Sequence, residues 1–227
     1  MADLQIILHY LSDLKANNNR EWYHAHKKEK MEAMKEFENL VQDLMIIISK
    51  DEPNVLQFQP KDLIFSLVRD TRFSNDKSPY RPAFRAHISQ KGKLPIPVGF
   101  FIYIEPDGNS IIGGGLFADM FRDATNMMRN YLIQHAKEFE NILSNNRFSA
   151  YFQLLGAKLK RPPKGYDPDF PYIEYIKYKN WFVEYHLEDV DLLKGDMFDN
   201  LIEMYRAVKP FNDFINKALI DFKMPTR

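Results

Sequence analysis

The sequence predicts an α+β fold, a single domain over residues 1–227 with a mainly antiparallel sheet flanked by N- and C-terminal helices. Three observations carry this. Apolar residues recur at helical spacing near both ends of the chain, and those in the middle alternate with the period of two that belongs to strands. The connections between the alternating runs are also too short for a helical crossover, so neighbouring strands run antiparallel. With 18 Phe, 12 Tyr and 2 Trp in 227 residues there is ample material for a core. Each fully buried large side chain contributes about 1.5–3 kcal/mol, which excludes an extended or disordered chain.

Leu4, Ile7, Leu8, Leu11 and Leu14 mark a first amphipathic helix behind Asp3 as N-cap, and Asn17-Asn18-Asn19 stops it. Asn19 then caps a second helix, expected to run unbroken from Arg20 to Lys50, with Phe37, Val41, Leu44, Met45 and Ile48 in its buried stripe. Leu63 to Asp70 is short and apolar and reads as a strand. Phe84, Ala86 and Ile88 alternate with Arg85, His87 and Ser89, which predicts a half-buried strand with a polar face. Val98, Phe100, Ile102 and Ile104 continue the pattern, and Pro106-Asp107-Gly108-Asn109 closes a hairpin onto Ser110 to Phe117. Gly113-Gly114-Gly115 inside that last strand predicts a bulge or a close backbone approach.

A helix follows through Phe121, Ala124, Met128 and Leu132, with another turn or two at Phe139, Ile142 and Leu143. Lys158 to Pro171 is rich in Pro, Lys and Asp and reads as a loop, and Pro171 to Tyr178 as a short helix. Trp181 to Leu187 alternates as a late strand. Asp196 caps a final helix from Phe198 to Leu219, with a kink expected at Pro210.

Composition narrows the function classes. The 31 basic and 31 acidic residues cancel, so no long-range field draws the whole protein to nucleic acid or to an anionic membrane. The absence of cysteine removes disulfides, thiol nucleophiles, iron–sulfur clusters and Cys-ligated zinc, and fits a cytoplasmic location. The N-terminus lacks the pattern of a signal peptide, and no stretch approaches the roughly 20 apolar residues of a membrane span. No cofactor loop is present, since Gly113-Gly114-Gly115 matches neither nucleotide-binding pattern. His24 and His26, two apart, fall on different faces of a helix, so no metal site is expected there.

The stretch from Ser66 to Arg85 is where charge concentrates. Arg69, Arg72, Lys77, Arg81 and Arg85 outnumber Asp70 and Asp76, a local surplus of positive charge in a neutral protein. Arginine presents a planar fork of donors suited to phosphate or carboxylate, lysine adds a point charge, and hydroxyls add single donors. The anion-binding candidates are therefore Arg69, Arg72, Ser74, Lys77, Tyr80 and Arg85, with Asp70 or His87 as proton acceptors and Asp76, Arg20 and Arg129 in a supporting ring. The competing reading is architectural: Asp70 and Asp76 pair with Arg72 and Lys77 and pin a long loop. Magnesium at Asp70 and Asp76 is disfavoured by the surrounding cations.

Beyond the charges, Arg69-Asp70-x-Arg72-Phe73-Ser74-x-Asp76-Lys77-x-Pro79-Tyr80 resembles the signature of the conserved hypothetical family catalogued as domain of unknown function 2461. Asn18-Asn19-Arg20-Glu21-Trp22-Tyr23 is similar to that family's N-terminal motif. Lys27, Gly115-Leu116-Phe117, Arg129 and Pro163-Lys164-Gly165-Tyr166 match further family positions. Two positions depart from the pattern: Lys30 stands where an aromatic is common, and Phe117 lacks the hydroxyl of the family's Tyr. The family carries no assigned activity, so the resemblance implies a fold and a site, not a reaction.

Three functions remain in order of preference. The first is an anion-binding domain, or an enzyme acting on a phosphorylated or carboxylated small molecule. The second is nucleic-acid binding, using the same cations with Lys158, Lys160, Arg161 and Lys164. The third is a structural or protein-interaction module with an aromatic surface at Pro171 to Trp181. No membrane partner is expected, and the sequence leaves the oligomeric state open.

Overall fold

The structure is a computed structural model that describes residues 2–117 and 121–225. Helix α1 (Leu4–Ala16) is capped by the Asp3 carboxylate, which accepts from the Gln5 and Ile6 amides. Asn19 caps α2 (Arg20–Ala25) by accepting from the Trp22 amide at 2.9 Å. Then come α3 (Lys27–Ile48), a 3₁₀ turn (Pro53–Gln57), α4 (Pro60–Leu63), β1 (Phe84–Ile88), β2 (Phe100–Ile104) and β3 (Ser110–Leu116). The second half holds α5 (Arg122–Leu143), α6 (Asn146–Ser149), α7 (Ile173–Ile176), β4 (Trp181–Leu187), α8 (Asp189–Leu192) and α9 (Met197–Ala218). The strands form one antiparallel sheet in the order β1-β2-β3-β4, flanked by helices: the architecture is α+β. Among the described residues no helix is long and apolar enough to cross a membrane.

The chain divides into two compact units, residues 1–93 with 101–112 and 186–203, and residues 94–100 with 113–185 and 204–227. In the first, α3 is the central helix. Phe37 stacks on Phe84 of β1 at 5.3 Å, and Ile7, Leu11 and Leu14 of α1 are fully buried. In the second, Phe139 of α5 packs against Phe214 and Phe211 of α9 at 4.9 and 5.8 Å, and Phe148 of α6 joins Phe211 at 5.7 Å. Such ring pairs add about 0.5–1.5 kcal/mol each beyond their burial.

Three expectations are corrected. The helix from Arg20 to Lys50 breaks at His26 (φ −99°, ψ 38°), whose ring stacks on Trp22 at 4.0 Å and whose Nδ1 lies 2.9 Å from the Trp22 carbonyl. Trp22 itself is only half-buried. Leu63 to Asp70 is not a strand: α4 ends at Leu63, and single antiparallel bridges at Ile64 and Val68 follow. The strand at Phe84–Ile88 has no exposed polar face, because His87 is buried along with Phe84, Ala86 and Ile88. The expected division of the long helix after Leu132 is present: α5, from Arg122 to Leu143, is kinked at His135, whose φ −124° and ψ 18° are not helical.

The glycine triplet has a spatial cause. Gly113 faces the Val183 carbonyl of β4 with no room for a Cβ, and Gly115, at φ +104°, would place one 2.6 Å from the Phe182 Cα. Both the backbone conformation and the space at position 115 demand glycine. Gly115→Ala is expected to lower stability by more than about 1 kcal/mol, read as a drop in the thermal or urea midpoint.

Candidate functional site

Residues 64 to 86 form an irregular two-legged arm in the first unit. Its legs are joined by Phe65 N to Arg85 O (2.9 Å), Arg81 N to Leu67 O (2.8 Å) and Arg69 N to Pro79 O (2.9 Å). Bridges at Ile64–Ala86 and Val68–Tyr80 complete the pairing. The arm is anchored by Asn18, whose Nδ2 donates to the Tyr80 carbonyl at 2.9 Å and whose Oδ1 accepts from the Tyr80 amide at 3.1 Å. The side-chain amide thus mimics a strand neighbour. Tyr23 of α2 stacks on the Tyr80 ring at 3.8 Å, so the N-terminal motif and the charged stretch meet at one residue.

The tip of the arm turns back on itself. Asp70 accepts from the Arg72 amide at 3.1 Å and from its guanidinium at 2.6–3.1 Å. That bond holds the Asp70 carboxyl below the usual carboxylate range. Lys77 Nζ donates to the Thr71 carbonyl at 3.0 Å. Phe73 projects into solvent, 95% exposed. Further down, Arg69 bonds Asp76 and lies 3.4 Å from the Ser74 hydroxyl. Asp76 also accepts from the Ser78 amide at 2.9 Å, and its pKa is depressed, mainly by Arg69.

Beside the arm lies an open cleft of about 420 Å³. Arg69, Asp76, Ser78, Tyr80 and Arg81 border it from the arm, Tyr103 and Glu105 from β2 and its end, and Lys15 and Asn18 from the end of α1. Lys15 is paired with Asp107 at 2.7 Å. The Tyr103 hydroxyl donates to Glu105, and burial together with that bond pushes its pKa up to about 12. Arg81 stands close enough to Tyr103 to oppose part of that rise. Arg81 is half-buried and has no carboxylate partner among the described residues.

The candidates named from sequence distribute as follows. Arg69, Tyr80 and Asp76 border the cleft, whereas Asp70, Arg72, Ser74 and Lys77 lie along the tip and do not. Arg85 donates to the Ser66 carbonyl at 3.1 Å and sits over the Phe65 ring at 5.2 Å, while its Nε is buried without a partner. Burial first, and then the nearby Arg81, lower its pKa. His87 is buried in β1 and does not border the cleft. Arg20 is near enough to Tyr80 to lower its pKa against the larger effect of burial. Arg129 belongs to the second unit, where its guanidinium donates to the Ile176 and Tyr178 carbonyls at 2.9 Å each. Of the basic loop residues, Lys158 is paired with Glu174 at 3.2 Å.

Lys15, Asn18, Ser78, Arg81, Tyr103 and Glu105 border the cleft and were not among the site candidates, although Arg81 was counted in the charge surplus. The alternation of Tyr103 and Glu105 with Ile102 and Ile104 was the available signal, since it puts both on the opposite face from the core. Among the described residues no group of three or more His, Asp and Glu is placed to hold a metal ion.

The family model of a conserved hypothetical protein, DUF2461, matches residues 6–214. The chain belongs to that family. Neither the curated proteins nor the solved structures compared with it gave a match. In this DUF2461 chain, the Asn18 to Tyr23 motif and the Arg69 to Tyr80 motif are joined by the Asn18 clamp and the Tyr23–Tyr80 stack.

Two outcomes follow from this geometry. Asn18→Ala removes both clamp bonds and leaves the Tyr80 amide unpaired, costing about 1–3 kcal/mol. The change is checked by chemical denaturation and by faster hydrogen exchange at the Tyr80 amide. The pKa of Tyr103 is raised above 10.0, its ordinary value, and those of Tyr10, Tyr23 and Tyr80 are raised as well. An acid whose pKa is raised by folding ionises first in the unfolded chain, so its contribution is intact below that ordinary value and is lost as pH rises through the folded one. The melting temperature should fall progressively from about pH 10 to about pH 12, alongside late-titrating tyrosinate absorbance.

Proposed function

We propose that this DUF2461 protein binds a phosphorylated or carboxylated small molecule in the cleft bordered by Arg69, Arg81 and Tyr103. The observation that carries the reading is Arg81, a half-buried guanidinium that borders the cleft and has no carboxylate partner among the described residues. A half-buried cation that lacks an acidic partner is stabilised when an anion arrives. Arg72 and Lys77 contribute little to such a site, because Arg72 is satisfied by Asp70 and Lys77 by a carbonyl.

The volume of about 420 Å³ is within the range of small-molecule sites. Asp76 and Glu105 also border the cleft, which favours an anion that offers hydrogen-bond donors of its own, such as a hydroxylated acid or a sugar phosphate. Where catalysis accompanies binding, Glu105, joined to the Tyr103 hydroxyl, is the bordering carboxylate suited to accept a proton.

Calorimetric titration with inorganic phosphate and with malonate tests the reading. Arg81→Met is expected to weaken binding at least tenfold, about 1.4 kcal/mol, and Arg72→Met to leave it unchanged. Equal affinity in Arg81→Met and the wild type would reject this cleft.

A further inference from the structure

The second unit contains a cleft of different character. Arg122, Asn126 and Arg129 on one face of α5 border it together with Lys164 and Tyr166 of the loop before α7, and with Lys179 ahead of β4. Residues 122, 125, 126 and 129 follow the i, i+3, i+4, i+7 spacing of a single helix face, so the two arginines stand two turns apart on the same wall. Four cations border this space, and among the described residues no carboxylate does. None of the four forms an ion pair among the described residues, which separates them from Lys158 and Lys177, both held by Glu174.

Solvated surface charge accounts for Lys164 and Lys179 taken singly, since both are exposed. It does not account for Arg129, which is only 8% exposed. Its guanidinium is fixed by bonds to the Ile176 and Tyr178 carbonyls and lies over Trp181 at 6.0 Å, and burial lowers its pKa. Carbonyls orient a cation without neutralising it. The remaining N–H donors of the fork have no partner among the described residues, so a charged, pre-oriented group is kept at the floor of a cleft. The opposite wall is shaped with similar care: Tyr166 donates to Asn130 at 2.9 Å, and Gly165 at φ +95° turns the loop that carries Lys164 and Tyr166.

We propose that this cleft is a second anion site, specific for the phosphate group of a small molecule. A lone carboxylate would leave most of the positive charge uncompensated, whereas a phosphate monoester or pyrophosphate brings multiple charges and acceptors suited to the Arg129 fork and to the lysine point charges. The volume of about 360 Å³ suits one such group with a small remainder. The inference is independent of the Arg81 cleft, with which it shares no residue.

The test is an NMR titration of the full chain with inorganic pyrophosphate. Binding is expected to saturate at millimolar concentration or below, with the amide shifts of Asn126, Arg129 and Tyr166 moving together. The double variant Lys164→Gln/Lys179→Gln, altered only at exposed positions, should bind at least tenfold more weakly at an unchanged melting temperature. Arg81→Met should bind as the wild type does, which separates this site from the first cleft. Malonate should bind more weakly than pyrophosphate. A short single-stranded oligonucleotide forms the last arm. If it engages these lysines while pyrophosphate does not, the small-molecule assignment fails. Non-saturating pyrophosphate shifts, or a double variant that binds as the wild type does, would overturn the site altogether.

Discussion

The Asn18 side chain is the constraint on which the first unit's arm depends. The connection over residues 64 to 86 buries Ile64, Leu67, Tyr80, Ala83, Phe84 and Ala86 along its legs, whereas Asp70, Arg72, Phe73, Asp76 and Lys77 toward its tip are exposed. Pairing of the two legs sets their register, and the amide of Asn18, bonded to both the N–H and the C=O of Tyr80, ties that register to the N-terminal segment together with the Tyr23 ring. Tyr80 is 5% exposed and packed on Tyr23, so the clamp works in a partly dry setting where an unmade bond is costly. Tyr80 and Arg81 are positioned by this clamp together with the Tyr23 stack and the pairing of the two legs.

Charge in the molecule is sorted rather than averaged. At the tip of the arm each cation finds an acceptor within a few residues, Arg72 on Asp70 and Lys77 on a carbonyl, and solvent screens what is left. Closer to the core the sorting is incomplete, with Arg81 lacking a carboxylate partner among the described residues and the Arg85 Nε buried without a hydrogen-bond partner. In the second unit it is absent around Arg129, where carbonyls and a ring face take the place of acids. A protein with equal numbers of acidic and basic residues thereby leaves Arg81 and Arg129 without carboxylate partners among the described residues.

Much of the fold was legible from period and punctuation. Asp3 and Asn19 cap the helices they precede, Trp181–Leu187 is the strand its alternation predicts, and Asp107-Gly108 turns the hairpin with both residues at positive φ. The break at His26 was illegible because it depends on a ring stacking on Trp22 and on a shared carbonyl, contacts that no helical period encodes. Leu63 to Asp70 misled for a related reason: its apolar residues pair singly, so hydrophobicity signalled burial without a ladder. For the candidate site, the sequence drew attention to charge density, and density is highest at the tip, where the charges satisfy one another. What distinguishes Arg81 is the lack of a counter-ion, and that is a property of three-dimensional neighbours.

The two compact units are not consecutive stretches of chain. The backbone passes from one to the other repeatedly, and β2, β3 and β4 each contribute residues to both. No single point along the sequence divides the protein into its parts, so neither unit can be inherited, fused or lost as an exon-like module.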